Sequence, residues 1–249
     1  MASRPLVIHC SGPDRRDVLR AEPPALTPGA CFVHFAELSE LRQRMSHLED
    51  LLDEQELARA ERFKFEVDRE RFVLGHGWMR ELLGHYLGIP PQEIAAQRGR
   101  FGKPFLPDGH FSFNLSDTKD AVVLAVALDM ELGVDVETVD RRVDHRSVSM
   151  HYFTPEEQDH IARSDDAKRT FLELWTRKEA VLKASGVGIM DDLRSLRVDQ
   201  AVNKLSIGHP EFVALADAEY HVRTWRIGQA HLISLATPAP MEHVLIFGA

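Results

Sequence analysis

Between Phe111 and Glu137 three apolar segments follow one another, "FSFNLS", "AVVLAVAL" and "LGVDVE", with only short polar turns between them. Each is six to eight residues long, the length of a single strand. Long helical patterns flank the block on both sides. On the N-terminal side lies "DRERFVLGHGWMRELLGHYLG", which stops at Gly88 before Pro90 and Pro91, a helix terminator followed by residues that cannot continue it. On the C-terminal side Thr154, Pro155 and Glu157 form a capping box with proline at the first helical position. Ser164 to Asp166 then breaks the chain and recaps it, and a long helix runs from about Ala167 to Ser185 with Gly186 as its stop. The strands of this block are thus grouped apart from the helices. Asp129 to Glu131 is expected to turn a hairpin between the second and third strands.

The remaining segments are read in the same way. Residues 11–30 hold four prolines and little periodicity, so residues 1–30 are expected to form a loose lead-in. "CFVHFAEL" is the first expected strand, and the charge-rich stretch from about Leu41 to Phe65 is expected to be a long helix. "VRTWRI", "AHLISLAT" and "HVLIFG" supply further strands near the C-terminus. One echo connects the two parts of the chain. "RELLGHYLG" lies over "KEAVLKASG" at a constant offset, 179 − 81 and 186 − 88 both giving 98, as a duplication would leave.

Composition limits the function classes. A net charge of −9 argues against a nucleic-acid binder held mainly by phosphate contacts, though not against a local basic pocket for a small anion. The run "AVVLAVAL" is too short to span a bilayer, and "MASRPLVIHC" has no signal-peptide pattern, so a cytoplasmic protein is expected. Cys10 and Cys31 match neither a metal-ligand spacing nor a disulfide framework. The 13 histidines include no His-x-x-x-His pair on a convincing helix and read as surface or capping residues. Gly75 and Gly77 lie inside a helical pattern and predict close helix packing rather than nucleotide binding. Trp78 and Trp175 read as core.

The chemistry concentrates in two segments. In "GVDVE", Asp135 and Glu137 are two apart on a strand and point to one face. This pattern fits either a solvated sheet edge or two acids held around a hard divalent cation such as Mg²⁺. In "FLELWTRKEAVLKASGVG", Trp175, Glu179 and Lys183 share one helical stripe. Here the alternatives are a surface ion pair or a third carboxylate with a lysine for the anion the metal also binds.

Together these segments resemble the paired signature of the Sfp-like 4′-phosphopantetheinyl transferases, the surfactin-synthetase-activator type. "FGKPFLPD" is similar to that family's Gly-Lys-Pro loop, "FSFNLSDT" to its Phe-Asn-x-Ser strand, and "ELARAERFKFEVDRERFVLGHGWMR" to its first-half helices. The resemblance implies two similar α+β subdomains, residues 1–129 and 130–249, with the active site in the cleft between them. It implies transfer of the phosphopantetheine arm of coenzyme A to a serine of an apo carrier protein, releasing adenosine 3′,5′-bisphosphate. Asp135, Glu137 and Glu179 would bind Mg²⁺, with Glu179 also the candidate base and Lys183 contacting phosphate. Arg59, Arg71, Lys103, Pro104, Ser116 and Lys178 would contribute to coenzyme binding. The family's histidine after the Phe-Asn-x-Ser serine is Asp117 here, which leaves a phosphate contact to be lost or supplied by another group such as Lys119. The arginines of "DRRVDHR" form either a solvated loop or a patch for an acidic carrier protein. A monomer is expected, with neither membrane nor nucleic acid as partner. The competing readings are a catalytically weak relative that binds carrier protein or coenzyme A, and an unrelated Mg²⁺-dependent phosphohydrolase, for which the lysine-bearing helix gives no reason.

Overall fold

A computed structural model describes residues 3–188 and 193–249; the first two residues of the expected lead-in lie outside them. In chain order the elements are β1 (Arg4–Arg16), β2 (Ala30–Glu37), α1 (Leu38–Leu41), α2 (Met45–Asp50), α3 (Glu54–Ala60) and α4 (Glu66–Leu87). The pairs β3 (Gln97–Arg98) and β4 (Pro104–Phe105) precede β5 (Phe111–Asp117), β6 (Ala121–Leu128) and β7 (Gly133–Thr138). Then come α5 (His145–Tyr152), α6 (Pro155–Arg163), α7 (Ala167–Ser185), β8 (Val202–Ile207), α8 (Pro210–Leu215), β9 (Glu219–Ile227), β10 (His231–Thr237) and β11 (His243–Gly248).

Two sheets organise these elements. One has the order β11-β2-β6-β5 and the other β7-β10-β9-β1-β8. Their inner faces pack together: Val33, Phe35, Ala121, Val123 and Ala125 of the first meet Val134, Val136, Trp225, Ile233 and Leu235 of the second. The unbroken apolar run in β6 follows from this layering, because it is buried on both sides. Its alternate residues Val122, Leu124 and Val126 turn the other way, toward Leu74, Trp78, Met79 and Leu83 of α4. On the far side α7 covers the second sheet through Phe171, Leu172, Leu174 and Val181 against Leu6, Ile8, Tyr220, Val222 and Leu232. The layers thus run helix, sheet, sheet, helix.

The duplication is visible in the topology. In the first half a strand, helices, a long helix and a hairpin give the order β2-β6-β5; in the second the same succession gives β7-β10-β9. Both long helices end at a left-handed glycine, Gly88 at φ 66° and Gly186 at φ 70°, the pair matched by the offset of 98. The end strands are exchanged. β1 pairs in parallel with β9 of the second half, and β11 pairs in parallel with β2 of the first. Each sheet therefore contains one strand from the other half.

Three expectations need correction. The first half of the lead-in is occupied by the 13-residue strand β1, whose pattern is interrupted by Gly12 and Pro13 at an irregularity between Ser11 and Asp14. Gly12 sits at φ 83°, where an added Cβ would fall 2.1 Å from the Thr224 carbonyl oxygen, so only glycine fits. The expected long helix from Leu41 to Phe65 is broken into short pieces. Asp53 begins a new helix by accepting from the Glu56 backbone in a capping box, and a capped start competes with continuation. Asp129 to Glu131 does not turn a hairpin. Both edges of β6 are already occupied by β2 and β5, so the chain crosses to the other sheet, with Asp129 in the left-handed region at φ 54°.

Gly77 behaves as its helical setting predicts. A Cβ there would lie 2.2 Å from the Leu48 carbonyl oxygen, so α4 packs directly on α2.

Candidate active site

β5 and β7 are the edge strands of their respective sheets, and the seam between the halves runs along them. All six residues of β7 are buried. Val134 and Val136 face the sheet–sheet core, which by strand alternation turns Asp135 and Glu137 toward α7. Gly133 allows the approach: its Cβ would lie 2.2 Å from both the Ala180 oxygen and the Ala184 nitrogen. The strand therefore rests against the last two turns of α7, where Glu179 and Lys183 project from one stripe.

A hydrogen-bonded knot joins the halves. Lys183 Nζ lies 2.7 Å from Asp135 Oδ1 and 2.7 Å from Ser116 Oγ, and Ser116 donates to the same Asp135 oxygen at 2.9 Å. The other oxygen, Asp135 Oδ2, is buried without a partner among the described residues. An orphaned carboxylate oxygen is costly inside a protein, and it points to a cation as its missing neighbour. Glu137 is turned to Arg141, four residues along the chain.

The electrostatics carry the same message. Burial, followed by repulsion from Asp135, pushes the Glu137 carboxyl up to about 7. Burial and then Asp135 push Glu179 up to about 7 as well, with Lys183 and Arg141 opposing the rise. Three acids are held in one negative field, and an all-oxygen donor set of this kind fits a hard divalent ion. The three carboxylates do not close to within 4.8 Å of one another, a spacing reached among the described residues only by His9, Glu219 and His221. Arg141 holds Glu137, and Lys183 with Ser116 holds Asp135, so side-chain rotation is needed to gather the oxygens on one ion.

The other expected residues divide. Lys103 Nζ reaches Glu131 at 2.6 Å, the Leu132 carbonyl at 3.0 Å and the Ala184 carbonyl at 3.4 Å, tying its loop to the start of β7 and the end of α7. Lys103 and Pro104 line a cleft of about 340 Å³ with Phe101, Phe105, Phe111 and Ser185. Arg71 of α4 pairs with Asp68 at 2.9 Å and with Asp117 at 2.8 Å. The carboxylate at position 117 is thus answered by Arg71, while Lys119, the group offered as a substitute phosphate contact, pairs with Asp140 at 2.5 Å. Arg59 is exposed, its guanidinium 4.9 Å above the Phe72 ring, and takes no part in the knot.

Lys178 is a correction. Its side chain is fully buried and paired with equally buried Glu157 at 2.7 Å. It also donates to the carbonyls of Tyr152 and Leu193 and sits 4.5 Å above the Phe153 ring. Adjacent helical residues point about 100° apart, so Lys178 enters the second half's core while Glu179 faces the seam. Trp175 packs in the same direction, against Phe171, Phe153 and Tyr152.

Sequence reasoning missed the pairing of Arg141 with Glu137, the use of Gly133 and the role of Ser116 in bonding Asp135. Arg141 carried a faint signal in its spacing from Glu137; Gly133 carried none, because its use depends on where α7 lands.

Comparisons with known proteins agree with this geometry. The profile of the 4′-phosphopantetheinyl transferase superfamily matches residues 131–236, and that of the N-terminal part of a 4′-phosphopantetheinyl transferase matches residues 39–129. The chain is 37% identical over 177 residues to the 4′-phosphopantetheinyl transferase HetI of Nostoc sp., covering 68% of this chain and 74% of the relative. It is 30% identical over 211 residues to the 4′-phosphopantetheinyl transferase psf-1 of Bacillus pumilus, covering 82% and 88%. A phosphopantetheinyl transferase of Thraustochytrium sp. is 31% identical over 209 residues, covering 77% and 72%.

Proposed function

The chain belongs to the 4′-phosphopantetheinyl transferase superfamily, and from that premise we infer how the residues of the seam divide the work. The reaction is the transfer of the phosphopantetheine arm of coenzyme A to a carrier protein. We propose that the acceptor is a carrier serine and that adenosine 3′,5′-bisphosphate leaves. One observation supports the placement best: β5, β7 and α7 bring Ser116, Asp135, Glu137, Glu179 and Lys183 to one seam, with Asp135 Oδ2 buried and unpartnered.

Asp135, Glu137 and Glu179 are the proposed holders of Mg²⁺. Bound there with the coenzyme's diphosphate, the ion would supply charge neutralisation at the phosphorus under attack. Lys183 adds a positive charge beside the leaving phosphate, and its bond to Ser116 fixes where that charge stands. Glu179, whose carboxyl is raised to about 7 by burial and Asp135 in the metal-free chain, is the proposed group to take the serine proton, and a bound cation would hold it in the ionised form a base needs. Lys103 and Pro104 line the cleft proposed for the coenzyme, and Arg71, tethered by Asp117 at the end of β5, is proposed as a further cation for it. Little bond-making is left to the protein, so orientation dominates.

Location and assembly follow as proposals. Among the described residues no helix is long and apolar enough to cross a membrane, and both cysteines are free, which suits a reducing cytoplasm. A seam built within one chain needs no second subunit, so the working form is a monomer.

The decisive experiment incubates the protein with an apo carrier protein, coenzyme A and Mg²⁺, and reads the carrier's mass. Gain of the arm supports the assignment; an unchanged carrier with intact coenzyme refutes it, as does coenzyme hydrolysis without modification. Glu179→Gln should bind coenzyme but turn over at least about a hundredfold slower. Near-normal turnover removes Glu179 as the base.

A further inference from the structure

A second cluster of ligating groups lies on the opposite face of the second sheet from α7. In the parallel pairing of β1 and β9, His9 is the register partner of His221, and Glu219 lies two residues before His221 on the same face. His9 Nε2 is 2.9 Å and His221 Nε2 is 3.1 Å from the single oxygen Glu219 Oε1. The imidazole rings stack with centroids 4.7 Å apart and planes 4° from parallel. All three ligand atoms fall within 4.8 Å of one another.

We propose that His9, His221 and Glu219 form a binding site for a divalent transition-metal ion, zinc being the best match. The donor set is two imidazoles and one carboxylate, borderline ligands that favour zinc-like ions over Mg²⁺. Zn²⁺ holds nitrogen and oxygen at about 2.0–2.2 Å in a tetrahedron, which separates its ligands by roughly 3.4 Å. The observed 2.9 and 3.1 Å spacings open to that value by a few tenths of an ångström. The parallel rings must also tilt toward a shared ion, a rotation about the terminal χ2 torsion, which is broad for histidine. The side chains are 37%, 22% and 49% exposed for His9, His221 and Glu219, which leaves room for that movement.

The setting keeps a fourth position open. His9 and His221 line a cavity of about 250 Å³ that continues to Arg223, Thr237 and Met241, so a water or small anion can complete the coordination. Arg223 is drawn over the Trp225 ring, 5.4 Å from its centroid. A shared ion would fasten the N-terminal strand to the repeat it crosses over to join. The site lies on β1 and β9, with β10 between it and β7, and is separate from the carboxylate seam.

The test is a Zn²⁺ titration of the full chain by calorimetry in millimolar Mg²⁺, which competes for the seam. The same titration is run on His9→Gln, His221→Gln and Asp135→Asn. One ion per wild-type chain is expected, at least about a hundredfold weaker in either histidine variant, since loss of mere outer-shell partners already costs 10–100-fold. Asp135→Asn should bind as wild type does. Circular dichroism without metal establishes that the variants fold. Visible absorption of the Co²⁺-loaded wild type reads the ligand field directly: intense tetrahedral bands support the site. Absence of binding, undiminished binding in both histidine variants, or weak octahedral bands would overturn the proposal.

Discussion

Replacing Glu137 by glutamine should stabilise the metal-free protein at alkaline pH while destroying its response to Mg²⁺. The Glu137 side chain is only 7% exposed, and burial with the nearby Asp135 charge raises its carboxyl from 4.5 to about 7. The folded chain therefore holds this proton more tightly than the unfolded chain does. Stability from this group is complete below pH 4.5 and falls as the pH rises toward 7, beyond which the loss is constant. At 1.36 kcal/mol per pKa unit, the full loss is roughly 3 kcal/mol at pH 8, about 2 at pH 6 and under about 1 at pH 5. Glutamine keeps the shape and cannot ionise. It gives up the pair with Arg141, but that arginine is 42% exposed and its contribution is below about 1 kcal/mol. The assay is urea unfolding of the chelator-treated proteins at pH 5, 6 and 8, repeated with millimolar Mg²⁺. The variant should be the more stable by ~2–3 kcal/mol at pH 8, with the gap closing toward pH 5. Added Mg²⁺ should raise the wild type and leave the variant where it was. A variant that is less stable than wild type at every pH would refute the account of the acid cluster.

Other perturbations bear on separate parts of the molecule. Turnover at limiting Mg²⁺ should rise from pH 6 to 8 by about tenfold for each carboxylate that must ionise near 7, up to about a hundredfold for Glu137 and Glu179 together, and higher Mg²⁺ should move the midpoint down; a flat profile counts against both carboxylates. Lys178→Met should cost ~3–5 kcal/mol by stranding the buried Glu157, and the double change with Glu157→Gln should recover most of it in chemical denaturation. Gly133→Ala should lose ~1–3 kcal/mol, because its methyl meets α7, and should weaken coenzyme binding in calorimetry although every site side chain is retained. Asp117→His should release Arg71 and lower the KM for coenzyme A about fivefold with kcat unchanged, the scale of one exposed ion pair; an unchanged KM would mean that Arg71 does not reach the coenzyme.

Local patterns made much of the site readable in the sequence. Two acids two apart on a strand share a face whatever surrounds them, and Glu179 and Lys183 share a helical face for the same geometric reason. The capping box at Thr154 and the glycine stops at Gly88 and Gly186 are likewise local. Lys178 was misplaced despite an available signal, because neighbours on a helix do not face the same way. Long-range features left no such trace. The exchange of β1 and β11 depends on which sheet edges are free, and Asp117 meets Arg71 only after α4 has packed on its sheet. The strand β1 was hidden because only Leu6, Ile8 and Cys10 alternate inward before Gly12 and Pro13 interrupt the pattern.

The position of the acids on edge strands explains how the fold tolerates them. On β7 one side is bonded to β10, while the Val134 N–H on the other donates to the Asn114 side chain at 2.9 Å. The edge is thus closed to a further strand by a side chain from the other half. The exchanged ends hold this arrangement in register. β1 cannot leave the second sheet, nor β11 the first, without breaking the partner half's pairing, so the repulsion along the seam cannot be relieved by moving the halves apart. In the metal-free chain relief comes from Lys183, from Arg141 and from proton uptake at Glu137 and Glu179; under the proposed function a bound cation would take over that role.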